Sequence, residues 1–193
     1  MANKKTLSLT KESYLEIVQL IRNGFDYGDG KHFRGNERLA TILNLEANLG
    51  LRISDVLQLR LIDIVLDGDR YRLDIIEKKT KKARTFTVPM EVYLYIQNYA
   101  IRAGIRPEAR LFPITVRAVQ KQLKIVADYM GLDCISTHSF RKYFATDIYV
   151  NSDYNIELVR VLLQHSSVVT TQRYIGIQQK ELERALQNHV KIV

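Results

Sequence analysis

Apolar residues recur every three or four positions through most of the chain, and this spacing predicts a mainly helical protein. The first run begins after Thr10, a candidate N-cap, and ends at Asn23. A glycine-rich loop is predicted next, and Ser54 is a candidate cap for a later short helix. The predicted helices are residues 11–23, 36–49, 55–59, 90–103, 115–130, 137–150, 155–164 and 178–188, with a short turn around 168–173.

Residues 62–88 follow a different pattern, in which apolar residues alternate with polar ones as in strands. Three strands are predicted, with a turn at Asp67–Gly68 between the first two. We therefore expect a small antiparallel sheet within an α+β, mainly helical fold. The second turn carries five cations that are predicted to project into solvent, either as a solubilising turn or along a DNA backbone: Lys78, Lys79, Lys81, Lys82 and Arg84.

Charge adds a preference for a polyanionic partner. Lys and Arg number 29 against 21 Asp and Glu, a net charge of +8, which suits nucleic acid or an acidic membrane surface. The length of 193 residues favours one domain over 1–193. The lone Cys134 excludes an intramolecular disulfide, and no secretory or membrane-spanning stretch is evident, so we expect a cytoplasmic location.

Six reactive or charged residues, widely separated in sequence, together have the chemistry to break a DNA strand. Two guanidiniums can grip a phosphodiester, a lysine can protonate a leaving oxygen, a histidine can accept a proton, and a tyrosine can attack phosphorus. Taken singly, each residue has an ordinary structural explanation, such as a surface ion pair or a packed ring. The six are Arg52, Lys79, His138, Arg141, His165 and Tyr174.

His138 and Arg141 are three positions apart near the start of a predicted helix, so they share one face. Ser136 or Thr137 is the candidate cap of that helix. The exposed N–H groups and dipole of a helix N-terminus favour an anion. This pair is therefore well placed for a phosphate.

The segments that carry these residues resemble, in order and spacing, the tyrosine recombinases of the phage integrase family. The resemblance covers about residues 8–188. Gln164 stands where the family usually has glycine, and Phe140 where leucine is commoner, and neither change removes a reactive group. The segments are Gly50-Leu-Arg-Ile-Ser-Asp-Val-Leu-Gln-Leu, Lys-Lys-Thr, Thr-His-Ser-Phe-Arg-Lys-Tyr-Phe-Ala-Thr and Leu-Leu-Gln-His-Ser-Ser-Val-Val-Thr-Thr-Gln-Arg-Tyr.

The resemblance implies a catalytic domain in which Arg52 and Arg141 bind the scissile phosphate and Tyr174 is the nucleophile. A 3′-phosphotyrosyl ester conserves the energy of the broken bond, so no metal or other cofactor is expected. The other implied catalytic roles are His138 as general base or proton shuttle, Lys79 as general acid on the 5′ oxygen, and His165 as a further donor. Asp55 is expected to orient this network, and DNA contacts are expected from Lys78, Lys81, Lys82 and Arg84.

The implied function is site-specific recombination or integration, as in mobile elements of bacteria or phages. Two alternatives stay open: nicking and closing like a type IB topoisomerase, and DNA-binding regulation without catalysis on the same fold. The expected partners are double-stranded DNA, other copies in a tetrameric synapse, and accessory DNA-bending proteins, with a monomer in free solution and no membrane.

Two further expectations follow from the resemblance. The protein is expected to be nucleoid-associated. A separate N-terminal DNA-binding domain, common in relatives, is not expected within this chain, which is either a minimal recombinase or a fragment of a longer integrase.

An apolar stripe after Tyr174 predicts that the last helix packs on its own domain or docks on a neighbouring protomer.

Overall fold

The computed structural model describes residues 6–28, 30–176 and 187–189. The chain divides into two compact units, one ending at Phe144 and one beginning at Ala145. The division falls within a single helix, Thr137–Asn151. Among the described helices, none combines the length and the apolar character needed to cross a lipid bilayer.

The first helix has the predicted limits, and the second begins one residue later than predicted, because Asn36 is its N-cap. Helix α1 is Lys11–Asn23, and the Thr10 hydroxyl accepts a hydrogen bond from the backbone N–H of Ser13 at 3.1 Å. Helix α2 is Glu37–Leu49, and it ends at Gly50 in the left-handed conformation. The apolar face of α2 lies in the core of the first unit, where its fully buried side chains include Leu39, Ile42, Leu43 and Leu45.

The segment between these helices is a hairpin, so the prediction of a glycine-rich loop was wrong. Strands β1 (Gly24–Tyr27) and β2 (Lys31–Arg34) pair antiparallel. Phe25 lies opposite Phe33, and their rings stack with centroids 5.0 Å apart. Each strand has four residues, which is too short for an alternating pattern to stand out among the glycines.

Helix α3 is Ile53–Val56, earlier and shorter than predicted. The helix begins after Arg52, whose carbonyl oxygen accepts from the backbone N–H of Val56 at 3.0 Å. Ser54 lies inside the first turn and does not cap the helix; its hydroxyl donates to the Asp55 carboxylate at 3.4 Å.

The predicted three-stranded sheet is confirmed, with antiparallel order β3-β4-β5. The first strand begins after a short 3-10 turn, Leu61–Asp63, whereas the sequence pattern places the strand's start within that turn. The turn is held by the Arg60 backbone N–H, which donates to the Asp63 carboxylate at 3.0 Å. The strands are β3 (Ile64–Asp67), β4 (Arg70–Ile76) and β5 (Ala83–Val88).

The remaining described elements are helical. They are α4 (Met90–Arg102), α5 (Val116–Tyr129), α6 (Thr137–Asn151), α7 (Ile156–Leu163) and α8 (Val168–Ile175). The segment predicted as a short turn around residue 170 is therefore a helix of eight residues, capped by Ser167. The predicted helix over 178–188 lies outside the described residues except at its end, where residues 187–189 are helical.

Candidate active site

Arg52 lies in the tight loop that joins α2 to α3. Gly50 begins this loop with a φ of 57°. A Cβ atom at Gly50 would lie 2.3 Å from the ring of Phe144 on α6, so only glycine fits. Gly50 packs against α6 before Arg52, and the short helix α3 begins directly after it. Both contacts restrict the backbone of Arg52.

Arg141 reaches the same loop from α6. Its side chain is among the largest fully buried groups of the protein, and Nη1 donates a hydrogen bond to the carbonyl oxygen of Gly50. The two arginines predicted to bind one phosphate are therefore linked through a loop of three residues. A buried guanidinium presents its donors in a fixed, planar array.

Glu46, on α2, is a buried carboxyl group that the sequence reasoning missed. Burial raises its pKa well above the ordinary value, although the positive charge of Arg141 and a hydrogen bond from the Ile53 backbone act in the opposite direction. The signal was present in the sequence, because position 46 lies among the inward-facing positions of α2. This shift favours the protonated, neutral form of a carboxyl group that lies close to Arg141.

Asp55 contacts the hairpin that carries Lys79. Its Oδ1 accepts a hydrogen bond from the backbone N–H of Lys78 at 2.8 Å, and the side chain is buried. The family resemblance implies that Asp55 orients the site. Its position is consistent with that role, since it ties the helix after Arg52 to the residue before Lys79.

Glu77 was also missed, and it connects two arginines. Its carboxylate is fully buried and accepts a hydrogen bond from Nη1 of Arg52. The other carboxylate oxygen lies 3.7 Å from Nη1 of Arg84. Glu77 therefore lies at the junction of the sheet and the loop that carries Arg52.

Arg84 does not project into solvent, contrary to the prediction. Its exposed fraction is 4%, and its guanidinium lies 4.5 Å from the centroid of the Phe86 ring. Burial, with the nearby charges of Arg141 and Arg52, lowers its pKa to about 10, against the effect of Glu77. Alternation in β5 contains the missed signal, since Arg84 shares a face with Phe86 and the buried Val88. The other four cations are exposed as predicted: Lys78, Lys79, Lys81 and Lys82.

His138 lies in the first turn of α6. Partial burial lowers its pKa below the ordinary value, and the charges of Arg141, Lys79, Arg52 and Lys142 act in the same direction. The imidazole is therefore neutral at neutral pH and can accept a proton. The contact of Arg141 with the loop of Arg52, the contact of Asp55 with the hairpin and the effect of these charges on His138 show that five of the predicted residues lie near one another. We call these five residues the cation cluster, after the three cations among them: Arg52, Asp55, Lys79, His138 and Arg141.

The start of α6 is held by a hydroxyl, but not by the predicted one. The backbone N–H of Ser136 donates to the hydroxyl oxygen of Ser139 at 3.1 Å. Thr137 is the first residue of the helix itself. Within the described part of the chain, the Ser136 hydroxyl has no hydrogen-bond partner.

His165 belongs to the second unit and follows α7. Gln164 ends that helix with a φ of 54°, in the left-handed region where glycine is the usual residue. This conformation suits the glycine that the family resemblance implies at this position. Nδ1 of His165 lies 3.1 Å from the hydroxyl oxygen of Thr171, which fixes the orientation of the ring.

Tyr174 lies in the last turn of α8, also in the second unit. Its ring meets the ring of His165 edge to face, with centroids 5.1 Å apart and an interplanar angle of 79°. The second unit therefore brings together its two predicted site residues, as the first unit does for the cation cluster. Across the described ranges, no group of three His, Cys, Asp or Glu side chains is arranged to hold a metal ion.

Comparisons with known proteins identify the family of this chain. The sequence profile of the phage integrase family matches residues 8–181. The probable integrase/recombinase YoeC of Bacillus subtilis is 32% identical over 170 residues, which cover 84% of this chain and 92% of that protein. The tyrosine recombinase XerD of Rickettsia conorii is 28% identical over 172 residues, 79% of this chain and 56% of that protein.

Solved structures have the same fold. The site-specific recombinase XerH, in a post-cleavage complex with palindromic difH substrate, superposes with a TM-score of 0.71 and 21% identity, over 96% of this chain and 53% of that chain. The catalytic domain of bacteriophage HP1 integrase superposes with a TM-score of 0.63 and 19% identity, over 96% of both chains. This chain thus spans about half the length of XerD and XerH and nearly all of YoeC and the HP1 domain.

These likenesses confirm the predicted fold, an α+β tyrosine-recombinase catalytic domain that is mainly helical. The family profile covers more than half of the chain. The chain belongs to the phage integrase family.

Proposed function

We propose that this protein is a site-specific DNA recombinase or integrase that breaks and rejoins strands through a 3′-phosphotyrosyl intermediate. The observation that carries the proposal is the cation cluster, in which Arg52 and Arg141 are held by one loop beside the neutral His138. Fixed donors of this kind stabilise the charge that develops on a phosphate during displacement. Family membership supports the same chemistry.

The reaction is a transesterification at phosphorus. The phenol oxygen of Tyr174 forms a bond to phosphorus, and the bond from phosphorus to the 5′ oxygen breaks. His138 accepts the phenol proton, and Lys79 gives a proton to the departing 5′ oxygen. Atoms and charge balance without a further reactant, and the reverse reaction with a new 5′ hydroxyl reseals the strand.

The charge state of His138 supports its role as the base. A phenol has an ordinary pKa near 10, so attack needs both proton removal and stabilisation of the developing charge. Partial burial and the surrounding cations both lower the pKa of the imidazole, which favours its neutral form, and the same cations attract the phosphate. His165 lies beside Tyr174 and supplies a further donor to the phosphate oxygens.

The proposed partners are double-stranded DNA and further copies of the chain. The tetrameric synapse, a free monomer in solution and accessory DNA-bending proteins are part of this proposal, as is a nucleoid-associated location in a bacterial cytoplasm. A single catalytic domain over residues 1–193 is also part of this proposal. Exposed lysines at the hairpin tip support DNA binding, since they are available to phosphates.

Covalent trapping from a random pool of DNA tests this function whatever the target sequence is. The protein is incubated with duplexes of randomised sequence, each nicked so that a short fragment diffuses away after cleavage and prevents resealing. Wild-type protein should form a covalent adduct whose DNA can be sequenced, and Tyr174→Phe should bind DNA without forming one.

Each alternative function gives a different result. DNA binding without any adduct from the wild-type protein would favour a non-catalytic regulator. Relaxation of a supercoiled plasmid without strand exchange between two copies of the selected site would favour a topoisomerase-like activity.

A further inference from the structure

Glu77 occupies the position where the sheet ends and the turn that carries Lys79 begins. It follows β4, which ends at Ile76, and its side chain is fully buried. Its backbone N–H donates to the Lys82 carbonyl at 2.9 Å, and its own carbonyl accepts from the backbone N–H of Lys81 at 2.9 Å. Two backbone hydrogen bonds of Glu77 therefore connect the start of the turn to its end.

The carboxylate of Glu77 also connects this turn to Arg52. One oxygen accepts from both Nη1 of Arg52 and the hydroxyl of Thr80, the latter at 2.7 Å. The Arg52 side chain retains an exposed fraction of 15%, so the contact orients the guanidinium without covering it completely. One group thus touches both a residue of the cation cluster and the turn.

Lys79 lies between two anchored neighbours. On one side, the backbone N–H of Lys78 is held by Asp55 at 2.8 Å. On the other side, the Thr80 hydroxyl is held by Glu77 at 2.7 Å. The side chain of Lys79 is exposed, but its backbone is fixed from both sides.

Charge explains why a carboxylate is needed at this position. Arg52 and Arg84 are both shielded from water, and a buried guanidinium without a counterion is costly. Burial alone would raise the pKa of Glu77, but hydrogen bonds from Thr80 and Arg52, with the charges of both arginines, lower it. Glu77 is therefore ionised at neutral pH and shares its charge between two arginines.

We propose that Glu77 is a positioning residue that fixes the Lys79 turn relative to Arg52, so that the proton donor and the phosphate-binding guanidinium act on one phosphate. This inference rests on the proposed function. It assigns Glu77 an effect on protonation of the leaving group, which a residue needed only for folding would not have. Glu77→Gln keeps the shape of the side chain but removes its charge.

The test uses full-length protein and a cleaved site selected from the randomised pool. Single-turnover cleavage by Glu77→Gln should be slower than wild type by about tenfold or more, since misplacing a general acid loses part of its contribution of roughly a hundredfold. A substrate with sulfur as the 5′-bridging atom needs little protonation of the leaving group. On that substrate, the defects of Glu77→Gln and Lys79→Met should both become smaller, while the defect of Arg141→Lys should persist.

A double variant separates positioning from an independent effect. If Glu77 acts through Lys79, Glu77→Gln combined with Lys79→Met should cleave the ordinary substrate about as slowly as Lys79→Met alone. Glu108→Gln, the same change at an exposed position, is the matched control and should match wild type. Thr80→Val removes the hydroxyl that donates to Glu77 and accepts from the Lys82 backbone N–H at 3.4 Å, and it leaves the Glu77 carboxylate in place, so it provides a second test if Glu77→Gln does not fold.

The possible failures are distinguishable. No adduct from the wild-type protein would contradict the proposed function itself. With an active wild type, the positioning role would be overturned by wild-type rates for both Glu77→Gln and Thr80→Val, or by additive defects that the bridging sulfur does not reduce.

Discussion

Nη1 of Arg141 donates a hydrogen bond to the backbone carbonyl oxygen of Gly50, two residues before Arg52. Through this bond, one arginine of the cation cluster is attached to the loop that positions the other. Arg141 has an exposed fraction of only 2%, so its guanidinium has little freedom to move. We infer that the two arginines are ordered before DNA binds, and this preorganisation lowers the cost of stabilising the transition state.

Arg141→Lys tests the need for the planar guanidinium. Lysine keeps the positive charge but loses the fork of donors that can hold both Gly50 and a phosphate oxygen. We expect single-turnover cleavage of a nicked substrate to fall by about a hundredfold, corresponding to roughly 3 kcal/mol of transition-state stabilisation. Arg117→Lys, at an exposed position of α5, is the control. Equal loss from both changes would argue against a special role for Arg141.

Gly50→Ala should destabilise the protein more than the same change at another glycine. A Cβ atom at Gly50 would lie 2.3 Å from the Phe144 ring, in addition to the strain of a positive φ. Gly68 also has a positive φ, but a Cβ there would have no heavy atom within 4 Å. In urea unfolding, we expect a loss of about 1 kcal/mol for Gly68→Ala and roughly 2–5 kcal/mol for Gly50→Ala. Similar losses would mean that the approach to Phe144 is not restrictive.

The lowered pKa of His138 gives cleavage a predictable pH dependence. His138 can accept a proton only when neutral, so the rate should be constant near neutral pH and fall as the pH drops through the lowered pKa. A ring-nitrogen NMR titration should give a value below the ordinary one of about 6.5. Lys142→Met, which removes one of the neighbouring cations, should raise it. A value above 6.5 in the free protein would contradict the electrostatic account.

The hairpin lysines are exposed and Arg84 is buried, so we expect only the lysines to contribute to DNA binding. Lys78, Lys81 and Lys82 are exposed, so replacing each with alanine should reduce the log–log salt slope of binding by about one. Arg84→Met should leave the slope unchanged but lower stability, since Arg84 is buried beside Glu77. Fluorescence anisotropy of a labelled duplex at several salt concentrations measures the slope. A reduced slope for Arg84→Met would place that residue on the DNA surface after all.

Local patterns were sufficient to predict α2, its stop at Gly50 and the three-stranded sheet. Each of these depends on residues close in sequence, such as the run of inward apolar positions in α2. The order of the four segments that carry the site residues could also be recognised from the sequence. In the first unit, Arg141 contacts the loop of Arg52 and Asp55 contacts the residue before Lys79, and in the second unit Tyr174 lies beside His165.

Contacts between distant segments were harder to predict. Arg84 was expected in solvent because it lies in a run of cations, but it is buried and forms an ion pair with Glu77, which follows the preceding strand. The β1–β2 hairpin depends on Phe25 meeting Phe33, and neither strand is long enough to show a period. Helical spacing showed that Glu46 faces inward, but only the fold shows that Arg141 is nearby.

The central claim is that Tyr174 becomes covalently joined to DNA, and peptide mapping of the trapped adduct tests it most directly. Trypsin cuts after Arg173 and Lys180, which separates Tyr174 from Tyr149 and Tyr154 of the same unit. After nuclease and trypsin digestion of the wild-type adduct, mass spectrometry should find the residual nucleotide on the peptide 174–180 alone. A nucleotide on Tyr149, Tyr154 or any other residue, with an unmodified peptide 174–180, would contradict the account.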